Sequence, residues 1–311
     1  MLLDAPSFHV CRDALFCAPM ILRIHLAAAI FLLVAATAHG QIQVELSFKR
    51  LQYIAHEPVL ATVKIANNSG RDIDLRDESG QHWFGFEINA GEGRLLAPLR
   101  PKAEPSLHIE AGKTVTRKIN LTPLFPVHDF GAYHVRANVY FPDLNKFFYS
   151  ATKVFQVGEG RTIWQKTVGV PEGMPGAGGM RTYSLLTSRL VDHTSLYVRV
   201  ENKETGVVYT TYSLGRIIAS DDPQAEIDRA NQLHVLHCAA PRNWAYSHVG
   251  WNGELFAHST FVETKTRPRL RHRADGNIAI SGGALDVPIA ETKRAPAPKL
   301  SDRPPANAAD D

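Results

Sequence analysis

The chain has 311 residues, and 34 Lys and Arg nearly balance 31 Asp and Glu, for a net charge of +3. That balance gives no case for nucleic-acid binding, which normally needs a concentrated basic face. A hydrophobic content of 44% is ordinary for a globular chain with real cores.

Leu26–Ala38, LAAAIFLLVAATA, is apolar and uncharged and follows Arg23. Small residues at Ala36 and Ala38 precede Gly40. A positive start, an apolar middle and an A-x-A-like end are the layout of a secretory signal peptide. The run is shorter than the about 20 apolar residues of a spanning helix. Residues 1–40 are therefore expected to be an N-terminal extension and cleaved signal, with Met20 as an alternative start. The mature chain is expected to be exported, periplasmic or extracellular, with no membrane span. Of three cysteines, only Cys238 lies beyond the signal, so no intrachain disulfide is expected, and a small buried side chain in a strand is its expected role.

After the signal the period becomes two. Ile42, Val44, Leu46 and Phe48 alternate with polar residues, and Val59, Ala61, Val63 and Ile65 repeat the pattern. Such alternation marks half-buried strands. Asn67-Asn68-Ser69-Gly70 supplies a turn, because Asn and Gly tolerate positive φ. Further alternating sets are Phe84/Phe86/Ile88, Val115/Ile119/Leu121 and Tyr133–Phe141, with a last strand from about Phe147 to Val157. About seven strands separated by turn signals predict an antiparallel sandwich over 41–158.

The order E-P-V at Glu57–Val59, N-N-S-G at 67–70, A-G-K-T at 111–114 and G-A-Y-H-V-R-A at 131–137 resembles bacterial immunoglobulin-like β-sandwiches. Macroglobulin-type and proteinase-inhibitor-type domains share this rhythm. The resemblance covers 41–158 alone and implies a fold. A protease-inhibitor function would rest on that analogy.

Gly158-Glu159-Gly160 is the expected hinge to a second antiparallel β domain over 159–288. Strands are expected at Thr162–Val170, Thr182–Arg189, around Leu196–Val200, Val207–Ser213 and Leu233–Cys238. Asn243–Val249 and Glu254–Val262 should form a hairpin around Asn252-Gly253, a favoured turn. Asp221–Gln232 is expected to be helical, with Pro223 in the first turn. Residues 289–311, rich in Pro and Ala, read as a disordered tail.

Candidate chemistry is thin. Gly112-Lys113-Thr114 lacks the earlier glycine and the following helix of a phosphate loop, and Gly173–Gly179 lacks the dinucleotide pattern. His56-Glu57 has no second histidine at helical spacing. His234, His237 and Cys238 suggest metal ligands, but His234 and His237 point to opposite faces of a strand. With Asn252-Gly253 as the turn, His248 faces Ala257 and His258 faces Ser247, again on opposite faces. No catalytic residue, metal site or cofactor is therefore expected. The aromatics remain: Trp244 opposite Phe261, Tyr246 on the same face, and Trp251 beside the turn. These three are the candidate contact residues, with Trp244 the most core-like and Trp251 the most exposed.

The expected protein is all-β: an immunoglobulin-like sandwich followed by a second β domain. The expected function is non-enzymatic binding or scaffolding, with a protein or glycan of the cell envelope as partner. A hydrolase acting on envelope polymer from the second domain is the alternative.

Overall fold

The computed structural model describes residues 41–100, 104–218 and 220–286. The leader, the alternative start at Met20 and the Pro-rich tail lie outside the described residues. The chain is all-β with antiparallel sheets. It divides into two compact units. Among the described residues the first takes 41–51, 59–126 and 131–156, and the second takes 52–58, 127–130 and 157–286. The second unit thus claims two short segments that the sequence assigns to the first.

The first unit carries β1 (Ile42–Phe48), β3 (Leu60–Asn67), β4 (Ile73–Leu75), β5 (Phe84–Ala90), β6 (Arg94–Leu95), β7 (Leu107–Ile109), β8 (Thr114–Asn120), β9 (Gly131–Phe141) and β10 (Lys146–Tyr149). β2 (Gln52–Ile54) belongs to the second unit, and β11 (Lys153–Gly158) runs across the division between Gln156 and Val157. The expected strand from Phe147 to Val157 is therefore two, β10 and β11, separated by Ser150–Thr152. β1, β3 and β8 form one sheet, and β11, β9, β5 and β6 lie in that order in another, with β10 beside β9. The alternation sorts the core as period-two patterning requires. Ile42, Val44 and Leu46 face inward with Ala61, Val63 and Ile65, each no more than 7% exposed, while Gln43 and Glu45 are exposed. Val135, Ala137 and Val139 supply the facing layer.

Asn67, fully buried, ties one end of this unit. Its Nδ2 donates to the carbonyls of Arg71, Ile109 and Glu110, and its Oδ1 accepts from the Ser69 N–H and Oγ–H. The Asn-Asn-Ser-Gly signal is thus an Asx-type turn. Gly112 sits at φ +72° in the turn before β8, so Gly-Lys-Thr is a hairpin turn.

The second unit continues with β12 (Arg161–Gly169), β13 (Met180–Arg189), β14 (Thr194–Asn202) and β15 (Val208–Ile217), a four-stranded meander. A second sheet holds β16 (Gln224–Ile227), β17 (Leu233–Ala240), β18 (Asn243–Val249), β19 (Leu255–Val262) and β22 (Ala284–Leu285). β20 (Arg269–His272) and β21 (Ile278–Ser281) form a hairpin. β17 is buried on both faces. Leu233 and Val235 pack with Tyr183, Leu185, Val198 and Val200 of the meander. Leu236 and Cys238 pack on the opposite side with Trp244 and Leu270.

The helix expected over Asp221–Gln232 is absent. Gln224–Ile227 pairs with Leu233–Leu236 as a strand. Asp228 then turns the chain, its Oδ1 accepting the N–H groups of Ala230 and Gln232 at 2.9 Å. Asp side chains offer the backbone this local alternative to helix, and the edge of β17 takes the remaining pairing.

The β18–β19 register follows the expected pairing from Asn243↔Val262 to His248↔Ala257, and a bulge then shifts it to Val249↔Leu255. The turn is Gly250–Glu254, closed by Gly250 N–H to the Glu254 carbonyl at 2.8 Å. Gly253 adopts φ +84°, and a Cβ there would lie 2.2 Å from Thr210 Cγ2. Gly206, at φ +70°, has open space around it. Gly206→Ala should cost about 1–2 kcal/mol from left-handed backbone alone, and Gly253→Ala should cost clearly more. Urea unfolding of both variants checks the difference, and equal losses would show that the tip yields freely.

Candidate functional site

The three aromatic candidates separate. Trp244 is 2% exposed, in a cluster with Leu236, Cys238 and Leu270. Its Nε1–H donates to Glu263 Oε2 at 3.4 Å, and the Arg267 guanidinium lies 4.7 Å from its ring. It is core, so the contact role considered for it is corrected. The reason is β20–β21, whose Leu270, Ile278 and Ile280 cover that face. Tyr246 is half-buried, and its hydroxyl is committed to His234 Nδ1 at 2.7 Å. Trp251 is only half-buried, in a turn whose Gly253 lies against Thr210 and Val200. Cys238 is buried, and its thiol donates to the Ala240 carbonyl. Burial raises its pKa, the opposite of a reactive thiol.

The histidines of this sheet fall on both faces. His237 is fully buried and aligned with Leu233 and Val235, and His258 bonds Ser247 at 3.0 Å. His234 and His248, by contrast, face each other directly across β17 and β18. Strand alternation sets His234 against His237 and, across one hairpin, His248 against His258; the pair that matters is created by the β17–β18 register. The Asp228 turn closes onto that pair, with Oδ2 3.1 Å from His234 Nε2. Burial and the adjacent His234 lower the pKa of His248, with Asp228 opposing them.

In the first unit the strands build a cavity of about 300 Å³. Phe84 and Phe86 of β5, Phe147 of β10, Ile119 of β8, and Leu124 and Phe125 of the loop after β8 supply its apolar wall. Phe86 meets Phe84 edge-on at 5.3 Å and Phe125 at 6.5 Å, an arrangement favoured by ring quadrupoles. Gly85 pairs with Asn138, and both line the cavity. A Cβ at Gly85 would stand 2.9 Å from Asn138 Oδ1, so a side chain there would crowd Asn138 at the margin of the cavity. Two polar neighbours are already engaged: Glu104 accepts from Arg117 at 2.7 Å, and His82 contacts Asp77 at 2.8 Å. Sequence period does not reveal this cavity, because Phe84 and Phe86 register there only as one face of a strand. β5 is paired to β9 along its length but to β6 only at Asn89 and Ala90, which leaves the Phe84–Phe86 edge open beside the loop.

Among the described residues no helix is long and apolar enough to cross a membrane. No family model matches the chain, and no curated protein matches it. Among solved structures it is similar to the sporulation control protein Spo0M from Bacillus subtilis, at 11% identity, over 56% of this chain and 91% of that one, with a TM-score of 0.27. At that score the likeness carries no argument about fold or function.

Proposed function

We propose that this is an exported, non-enzymatic binding protein whose first unit, an immunoglobulin-like frame, holds a small and mainly apolar organic molecule. The observation that carries the reading is the phenylalanine-lined cavity of about 300 Å³. Ligand sites are concave, mostly apolar, and carry a few polar groups that fix orientation. Here the aromatic rings supply the apolar wall, while Gln81 and Asn138 add amides. The leader at Leu26–Ala38 supports export. The cell envelope is then the compartment in which a ligand or partner is met.

Titration with the fluorescent probe 1-aminoanthracene tests this reading. The wild-type chain should bind one equivalent saturably. Gly85→Leu combined with Asn138→Ala fills the space without the Cβ–Oδ1 overlap. That variant should keep its melting temperature and lose affinity by at least about tenfold, roughly 1.4 kcal/mol. Equal affinity in the variant would remove the cavity as the binding site.

A further inference from the structure

We infer that Asp228, His234 and His248 form a binding site for a divalent first-row transition metal ion, best matched by zinc. One donor atom from each residue lies within 4.8 Å of the others. The site is built by the backbone. The antiparallel register of β17 and β18 sets His234 opposite His248; their rings stack at 4.1 Å with 17° between planes, so holding one ion requires the more exposed His248 ring to turn out of that stack toward Asp228. The turn after β16 brings in Asp228, with Oδ1 spent on the N–H groups of Ala230 and Gln232. Oδ2 is left facing both imidazoles, 3.1 Å from His234 Nε2 and 4.0 Å from His248 Nε2. Tetrahedral zinc with bonds of about 2.1 Å places its ligands about 3.4 Å apart, and the two observed separations bracket that value.

The surroundings fit a cation. The Asp228 and His234 side chains are 8% and 6% exposed, and His248, at 21%, gives the site an opening. A nearly buried carboxylate is costly unless positive charge compensates it. Among the described residues, the ion-pair partners of Asp228 are these two histidines. A divalent ion would supply that charge and use the same lone pairs. Both histidines are held from outside. Tyr246 Oη lies 2.7 Å from His234 Nδ1; with Nε2–H on Asp228 that nitrogen accepts the hydroxyl, and ligation through Nε2 reverses the bond so that Nδ1–H donates to Oη, the usual outer-shell arrangement. Phe256 packs edge-on against His248 at 5.3 Å. Gln232 Oε1 lies 2.7 Å from His248 Nε2. Ligation exchanges that hydrogen bond for the metal and leaves the amide oxygen beside a fourth position. Two imidazoles with carboxylate and amide oxygens suit zinc and its first-row neighbours better than soft Cu(I) or hard Mg²⁺.

The test uses the full chain, free of any polyhistidine tag and stripped with chelator. Calorimetric titration with zinc chloride should give one site per chain, and cobalt should give the visible absorption of a nitrogen- and oxygen-ligated ion. Asp228→Asn and His248→Gln should each weaken zinc by more than about 100-fold, beyond the 10–100-fold typical of outer-shell losses. Tyr246→Phe should fall within that lesser range, and His258→Ala, on the other face, should leave the affinity unchanged. Circular dichroism confirms that each variant is folded. If His248→Gln or Asp228→Asn fails to fold, Gln232→Ala must weaken zinc at least about tenfold. No saturable site in the wild type, or equal affinity in the ligand variants, would overturn the assignment and leave a hydrogen-bonded network only.

Discussion

The folded chain should lose about 3 kcal/mol of stability between pH 6.5 and pH 4 through one residue, His237. This side chain is fully buried in β17. Neither ring nitrogen finds a hydrogen-bond partner of good geometry among the described residues. Burial pushes its pKa down to about 4. The Arg216 backbone offsets part of that effect, and His258 adds to it. The unfolded chain therefore takes up the proton near pH 6.5, while the folded chain resists until about 4. Within that window the unfolded state binds more protons, so stability rises with pH and is fully present above 6.5. His237→Leu removes both the titration and the unpaired nitrogens. Its unfolding free energy should fall less steeply as the solution is acidified, and at neutral pH it should equal or exceed that of the wild type, since each unpaired buried polar atom costs about 1–3 kcal/mol. Urea unfolding from pH 7.5 to 4 decides the matter. Parallel acid limbs in the two proteins would show that His237 is solvated or paired when folded.

The second large effect separates two tryptophans of one hairpin. Trp244→Ala should cost about 3–5 kcal/mol, the range for a large buried aromatic truncated in a packed core. It removes contacts with Leu236, Cys238 and Leu270, the Nε1–H bond to Glu263 and the ring face under Arg267, while Glu263 and Arg267 keep each other as ion-pair partners. Trp251→Ala, in the half-buried turn, should cost about 1 kcal/mol. Denaturant midpoints measured side by side test this. Equal losses would place Trp251 in the core as firmly as Trp244.

Much of the fold was legible because it depends on period and turn chemistry. Ile42–Phe48 and Tyr133–Phe141 alternate so cleanly that their inward faces follow from spacing alone. The pairing of Trp244 with Phe261 follows from counting back from Asn252-Gly253, even though a bulge at Val249 reshapes the tip. What failed was local preference outvoted by pairing. Asp221, Asp222 and Pro223 read as a helix start, yet Gln224–Ile227 lies along β17, and Asp228 spends one carboxylate oxygen on a turn. That error also hid the Asp228 cluster. His234 meets His248 only through the turn at Ala240–Asn243, where a bulge between Cys238 and Ala240 offsets the register. The phenylalanine cavity was out of reach for a related reason. It joins β5, β8, β10 and a loop, and no sequence period records which non-adjacent strands leave a gap.

The most direct test of the binding account is a heteronuclear NMR titration of the whole chain with a panel of small aromatic fragments. The account predicts saturable shifts centred on the amides of Phe84, Gly85, Phe86, Ile119, Leu124, Phe125 and Asn138, abolished by Gly85→Leu with Asn138→Ala. Shifts centred elsewhere, or none that saturate, would contradict it.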